Sequence, residues 1–179
     1  PNSAGSHTRR RNSTPMALNP QTYSGATINA SLVALYKSSV LSLTDQVNEF
    51  LIGAGASAGS LSVDWTSSNA LFSVWIGING IGNSYLFSSF SDRYFALINK
   101  FVSPGGRSFL FINVPLIDRS PLMLVQSSSS QALEKSVISG FNSKLASRVA
   151  SLSSNYSDVQ TFLWDSNTYF TETLGNPTA

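Results

Sequence analysis

The 179-residue chain has no cysteine and a single histidine, His7. Without cysteine there are no disulfides, no thiol nucleophile and no thiolate-held metal. The scattered Asp and Glu show no metal-ligand spacing with His7, so neither a metal nor a cofactor is expected. Charge is scarce too. Charged residues make up 11% of the chain, against roughly 25% in an average soluble protein. Ser, Thr and Asn supply the polar surface instead, a habit of many secreted proteins. No apolar run reaches the ~18 residues of a membrane span, and the first residues lack the apolar core of a signal peptide.

The net charge of +2 misleads. Three of the eleven cations form the run Arg9-Arg10-Arg11, and the other eight face nine anions. A nucleic-acid footprint needs cations spread over a face or groove, so no nucleic-acid partner is expected outside that run. Sequons at Asn12, Asn29 and Asn155 permit secretion without establishing it.

What is present is hydrophobic residues, 42% of the chain, enough for one domain with a sizeable core. Residues 1–21 mix Pro, Asn, Ser and the basic run without periodicity, as in a disordered or non-native tail. Residues 22–179 read as one domain. The spacing of Ser42 and Asp45 predicts a helix start, with Val47, Phe50 and Leu51 on its apolar side. Leu71–Ile78, Ser108–Val114 and Val159–Trp164 predict three strands, the first two buried on both faces. Helices are predicted between them, one on the stripe Phe90, Tyr94, Leu97, Ile98, Phe101 and one from about Gln131 to Ser154. The longer one carries Leu133, Val137, Ile138, Phe141, Leu145, Val149 and Leu152 on its apolar face. A short helix is predicted over Asn167–Leu174. Alternating strands and helices imply an α/β layered fold with a parallel sheet. Ligand sites in such sheets lie where loops leave the carboxyl ends of strands, here near Asn79, Pro115 and Asp165.

Gly55-Ala-Ser-Ala-Gly59 spells the G-x-S-x-G of a nucleophile elbow. That device needs a strand before it and a helix after it. The residues before Gly55 read as helix, those after Gly59 do not, and no histidine follows. Ser57 is therefore read as part of a small-residue loop. The glycines at 53, 55 and 59 also lack the spacing of a dinucleotide loop. Gly77-Ile-Asn-Gly-Ile-Gly82 does follow a strand, but no helix is expected to open directly on it. Asn79 in that loop has two readings. It is a neutral amide able to donate to a developing oxyanion, or half of an Asn-Gly turn. Gly25, in the turn of Tyr23-Ser-Gly-Ala-Thr27, offers a backbone N–H on similar terms. Asp118-Arg119 either lines a pocket or forms a local ion pair, the plainer reading. Trp75 and Trp164 lie in strands and are expected in the core; Trp65, in a loop, is a candidate for stacking on a sugar ring.

Several long segments resemble one family. YSGAT, WTSSNALFSVWIGINGIGNSY, FLFINVPLIDRSP, QALEKSVI and NSKLASRVAS, in that order, are similar to secreted fungal GDSL-type esterases of the SGNH superfamily. The specific likeness is to acetylesterase-like carbohydrate esterases of family sixteen, and it runs from Tyr23 to the end of the chain. The resemblance implies a flavodoxin-like three-layer α/β/α sandwich and an extracellular monomer. Its substrate would be an acetylated carbohydrate or short acyl ester, cleaved through an acyl-serine. It also implies that Gly25 and Asn79 form the oxyanion hole. Trp65 and Asp118 are the candidates for holding substrate. The family's G-D-S and D-x-x-H blocks have no counterpart here, so no catalytic serine, acid or histidine is assigned. The sandwich is then expected to lack its first strand and its C-terminal block, and the chain alone to be inactive. Gly80 stands where the family usually has Asp. A non-catalytic carbohydrate-binding remnant is the alternative.

Overall fold

The computed structural model describes residues 23–53, 65–81 and 87–176. Residues 1–22 with His7 and the arginine run, and residues 54–64 with Ser57, lie outside them. The elements are α1 (Leu43–Ile52), β1 (Leu71–Trp75), α2 (Ile78–Ile81), α3 (Phe87–Val102), β2 (Ser108–Ile112), a 3-10 turn (Ile117–Arg119), α4 (Pro121–Leu124), α5 (Ser128–Asn155), β3 (Gln160–Trp164) and α6 (Ser166–Gly175). The three strands form a parallel sheet in the order β1-β2-β3. Parallel neighbours need a crossover, and α3 and α5 provide the two. This is an α/β architecture, a parallel sheet flanked by helices.

Local chemistry sets the element ends. At the start of α1 the Ser42 N–H and hydroxyl donate to Asp45 Oδ2 at 2.9 and 2.6 Å, and the Asp45 N–H returns a longer bond to Ser42 Oγ. This reciprocal capping satisfies N–H groups that the first turn cannot. Gly53 closes the helix by donating to the Glu49 carbonyl at 2.9 Å. Serine side chains accept the same kind of bond ahead of α4 and α5.

Helices α1, α3 and α5 build the core against one face of the sheet. Phe109 and Phe111 point there and are fully buried. Phe95 stacks on Phe111 at 5.7 Å, and Phe50 meets Phe72 edge-on at 5.5 Å. Val137, Ile138, Phe141, Leu145, Val149 and Leu152 of α5 are buried as the helical spacing predicts, but Leu133 is exposed.

The expectation that β1 and β2 are buried on both faces fails. Their exposure alternates, and the side away from the helices is open. Trp75 and Trp164 are 51% and 43% exposed, so they are not core residues. Leu71 and Phe162 share that open face. A continuous apolar run encodes two greasy faces; it does not encode how many helices lie over them. Among the described residues β1 and β3 each pair on one side only, and no helix there is long and apolar enough to cross a membrane.

Candidate active site at the carboxyl end of the sheet

The carboxyl end of β1 turns sharply. Gly77 has φ +134°, in the region that favours glycine, and a Cβ there would sit 2.8 Å from Phe141 Cζ and 3.0 Å from Val114 Cγ2. The glycine is thus required twice, by conformation and by space. The chain then enters α2, whose first bonds run from the Gly80 and Ile81 N–H groups to the Gly77 carbonyl at 2.9 Å. A helical turn therefore does open directly on this loop, against expectation, and Asn79 is not half of a hairpin turn. Strands β1 and β2 are parallel, so no hairpin joins them. Residue 80 has room, because a Cβ on Gly80 would meet nothing within 4 Å.

The second element of the corner comes from the start of the described chain. The Ala26 N–H donates to the Tyr23 carbonyl at 3.1 Å, closing a turn with Gly25 at its third position. Gly25 has φ +85° there, the sign a type II turn demands. Ala26 and Ile28 are buried, and the Leu43 and Thr44 N–H groups bond the Thr27 and Ile28 carbonyls. The turn is thereby tied to the first residues of α1.

Asn79 joins the two elements. Its Nδ2 donates to the carbonyl of Ala26, the residue after Gly25, at 3.1 Å across 53 residues of sequence. Among the described residues the Gly25 N–H has no hydrogen-bond partner. Tyr36 was not singled out in the sequence. Its ring lies so close over Gly25 that a Cβ would fall 2.1 Å from Cε1, yet the side chain is largely exposed. No motif marks such an aromatic, because the ring reaches Gly25 through the fold.

Trp65 does not join this corner. It precedes β1, packs on Phe50 at 5.8 Å and meets Phe72 edge-on at 5.5 Å, at the amino end of the sheet. Its indole is used in packing. Asp118 is buried in the 3-10 turn after β2, and the expected ion pair with Arg119 is not formed among the described residues.

The carboxyl ends of β2 and β3 are joined by an amide network that sequence reading missed. Asn113 donates to Asp165 Oδ1 at 2.7 Å and its Oδ1 accepts from Ser166 Oγ and the Asn167 N–H. Asn142 clamps Val114, accepting its N–H at 2.9 Å and donating to its carbonyl at 2.8 Å. Burial alone would raise the Asp165 carboxyl, but bonds from Thr168, Asn113 and Asn167 outweigh it and hold the group below its ordinary range. Such bonds favour the charged form. Behind Phe111, burial pushes the Tyr94 hydroxyl far up, so it stays neutral. No group of three His, Cys, Asp or Glu able to hold a metal occurs among the described residues.

No protein-family model matches the chain. A curated protein named Acetylesterase, from Thermothelomyces thermophilus, is 31% identical over 169 residues, covering 87% of this chain and 54% of that protein. The chain is thus related in sequence to an acetylesterase and spans about half its length.

Proposed function

We propose that this chain supplies the oxyanion-binding part of a carboxylic-ester hydrolase of the GDSL, or SGNH, kind, similar to carbohydrate esterases of family sixteen. In the complete catalytic unit a serine hydroxyl adds to the ester carbonyl. The carbonyl oxygen becomes negative, the serine proton passes to a histidine and on to the departing alcohol, and the acyl-serine left behind is later cleaved by water. The Gly25 N–H and the Asn79 carboxamide are the donors for that oxygen. The observation that supports the reading is the 3.1 Å bond from Asn79 Nδ2 to the carbonyl of Ala26, the residue after a glycine whose N–H has no partner among the described residues. Both donors are neutral, so neither titrates as charge develops. Losing one such donor typically costs about 3–4 kcal/mol of barrier. Sequence relation to an acetylesterase supports an acyl group as small as acetyl. An acetylated carbohydrate is the substrate, outside the cell the place of action, and a monomer the working form.

Residues 1–179 contain no recognisable G-D-S or D-x-x-H block, so the chain alone is proposed to be inactive. The test joins the full chain to the segments of the Thermothelomyces protein that it does not match and follows hydrolysis of a chromogenic acetyl ester. The unfused chain is expected to give no saturable turnover. In the joined protein Asn79→Ala is expected to lower kcat by about 10²–10³-fold with little change in KM. An unchanged kcat would remove Asn79 from the role.

A further inference from the structure

Two of the sequons, at Asn29 and Asn155, fall within the described residues, and the fold treats them differently. Asn29 is half-buried, and both ends of its carboxamide are in use. Its Nδ2 donates to Thr44 Oγ1 at 3.1 Å, Thr44 passes the chain on to the Ile28 carbonyl at 3.0 Å, and Asn29 Oδ1 accepts from the Ser31 N–H at 2.8 Å. These bonds tie the turn after Ile28 to the first residues of α1. A bulky group on that nitrogen has to push the turn away from the helix.

Asn155 is the opposite case. It is the last residue of α5, it is exposed together with Tyr156 and Ser157, and its carboxamide has no partner among the described residues. The helix stops because Tyr156 is extended (φ −130°, ψ 101°), its N–H closing on the Leu152 carbonyl at 3.2 Å. The backbone beyond is pinned by other groups. The Val159 N–H bonds the Tyr156 carbonyl at 3.0 Å, the Gln160 N–H bonds the Arg107 carbonyl at 2.7 Å, and Arg107 Nε holds Asp158 Oδ2 at 2.5 Å. The segment is thus fixed without any help from the sequon side chains.

We propose that Asn155 is the acceptor of an N-linked oligosaccharide, and that Asn29, with the same sequence signal, carries none in the folded protein. Asn-x-Ser is the signal that the transferase reads, and the added glycan is bulky and solvated, so it needs a surface position. In the transfer, Asn155 Nδ2 attacks the anomeric carbon of an oligosaccharide carried on a polyprenyl pyrophosphate. A carbon–nitrogen bond forms and the anomeric carbon–oxygen bond breaks. The pyrophosphate leaves with that electron pair, and the nitrogen gives up one proton. The proposal rests on the extracellular part of the function above, because the donor lies on the secretory route, but it needs no ester cleavage. Helix α5 runs back between two parallel strands, so Asn155 lies at the amino end of β3. The five residues of that strand put about 16 Å between it and the carboxyl end of the sheet. A glycan there leaves Gly25 and Asn79 clear.

The test expresses the full chain behind a secretion leader in a eukaryotic host, with Asn12→Gln throughout so that only the sequons at Asn29 and Asn155 remain. Glycopeptide mass spectrometry of the soluble chain, from medium and from cells, reads the occupancy of each site. Peptide N-glycosidase then releases the sugar and leaves aspartate where it was attached. Asn155 is expected to be occupied in most molecules and Asn29 to be bare. Asn155→Gln and Ser157→Ala should each abolish the glycan, the second with the asparagine still in place. In chain made without the leader, Asn29→Gln is expected to lower the urea midpoint and Asn155→Gln to leave it unchanged. Ser31→Ala removes the first sequon without touching the Thr44 bond, and covers the case in which Asn29→Gln does not fold; it should keep the glycan on Asn155. A bare Asn155, or equal occupancy of Asn29 in the soluble chain, overturns the proposal, as do equal midpoint losses in the two glutamine variants. A glycan on Asn155 beside an inactive joined protein would defeat the hydrolase reading alone; ester turnover with Asn155 bare would defeat this one alone.

Discussion

The two faces of the sheet come from the same fifteen strand residues and differ in everything else. On one face Phe109 and Phe111 are shut away beneath α1, α3 and α5; on the other Trp75, Phe162 and Trp164 meet solvent. A pleated strand sends successive side chains to opposite sides, so the contrast is a matter of parity. Parallel sheets ordinarily have both faces covered. Here the residue chemistry suits two covers and the described residues supply one, with α6 touching the open side through the Trp164–Tyr169 contact. Burial, and not hydrophobic character, is what stabilises.

The sharpest test compares truncations on the two faces. Phe111→Ala should cost about 3–5 kcal/mol in urea unfolding. Trp164→Ser, equally drastic on paper, should stay within about 0.5 kcal/mol, as surface changes usually do. Equal losses would mean that the open face is packed after all. The next effect is at the turn beyond β1. Gly77→Ala drives a Cβ into Phe141 and Val114 on the covered side with φ at +134°, and should cost about 1–3 kcal/mol. Gly80→Ala meets no atom within 4 Å and should instead be neutral or stabilise by up to about 1 kcal/mol.

The smallest effect is the pH response, which has opposite signs at the enclosed Glu134 and the exposed Asp165. Glu134, buried on α5, binds its proton more tightly folded than unfolded, because of desolvation first and the charge of Asp118 second. Its contribution is complete below the ordinary glutamate range and is lost as pH rises through the raised folded value. Asp165 is held low, so its contribution is present above the ordinary aspartate range and is lost as pH falls through the lowered folded value. Unfolding midpoints across acid to neutral pH should flatten on the upper side in Glu134→Gln and on the acid side in Asp165→Asn. The reverse assignment would contradict the burial and bonding described for both groups.

Much of the fold is legible because it is written locally. Ser42 and Asp45 announce α1, the stripe from Val137 to Leu152 announces α5, and alternation of elements gives the parallel sheet. The open face is not legible, because Trp75 and Trp164 look like core residues until the covering helices are counted. The motifs marked Gly25 and Asn79 singly. The bond that ties Asn79 to the residue after Gly25 spans 53 residues, which no local pattern contains. Asp118 misled in the opposite sense: a charged pair in a loop reads as surface, whereas the 3-10 turn folds its carboxylate inward.

That β1 and β3 each pair on one side only among the described residues has a practical outcome. Each outer strand presents a row of amide and carbonyl groups ready to take on another extended peptide. Beside these rows stand the bare indoles of Trp75 and Trp164. Self-adhesion of the purified polypeptide should therefore start along these margins, with tryptophan emission shifting to the blue as concentration rises.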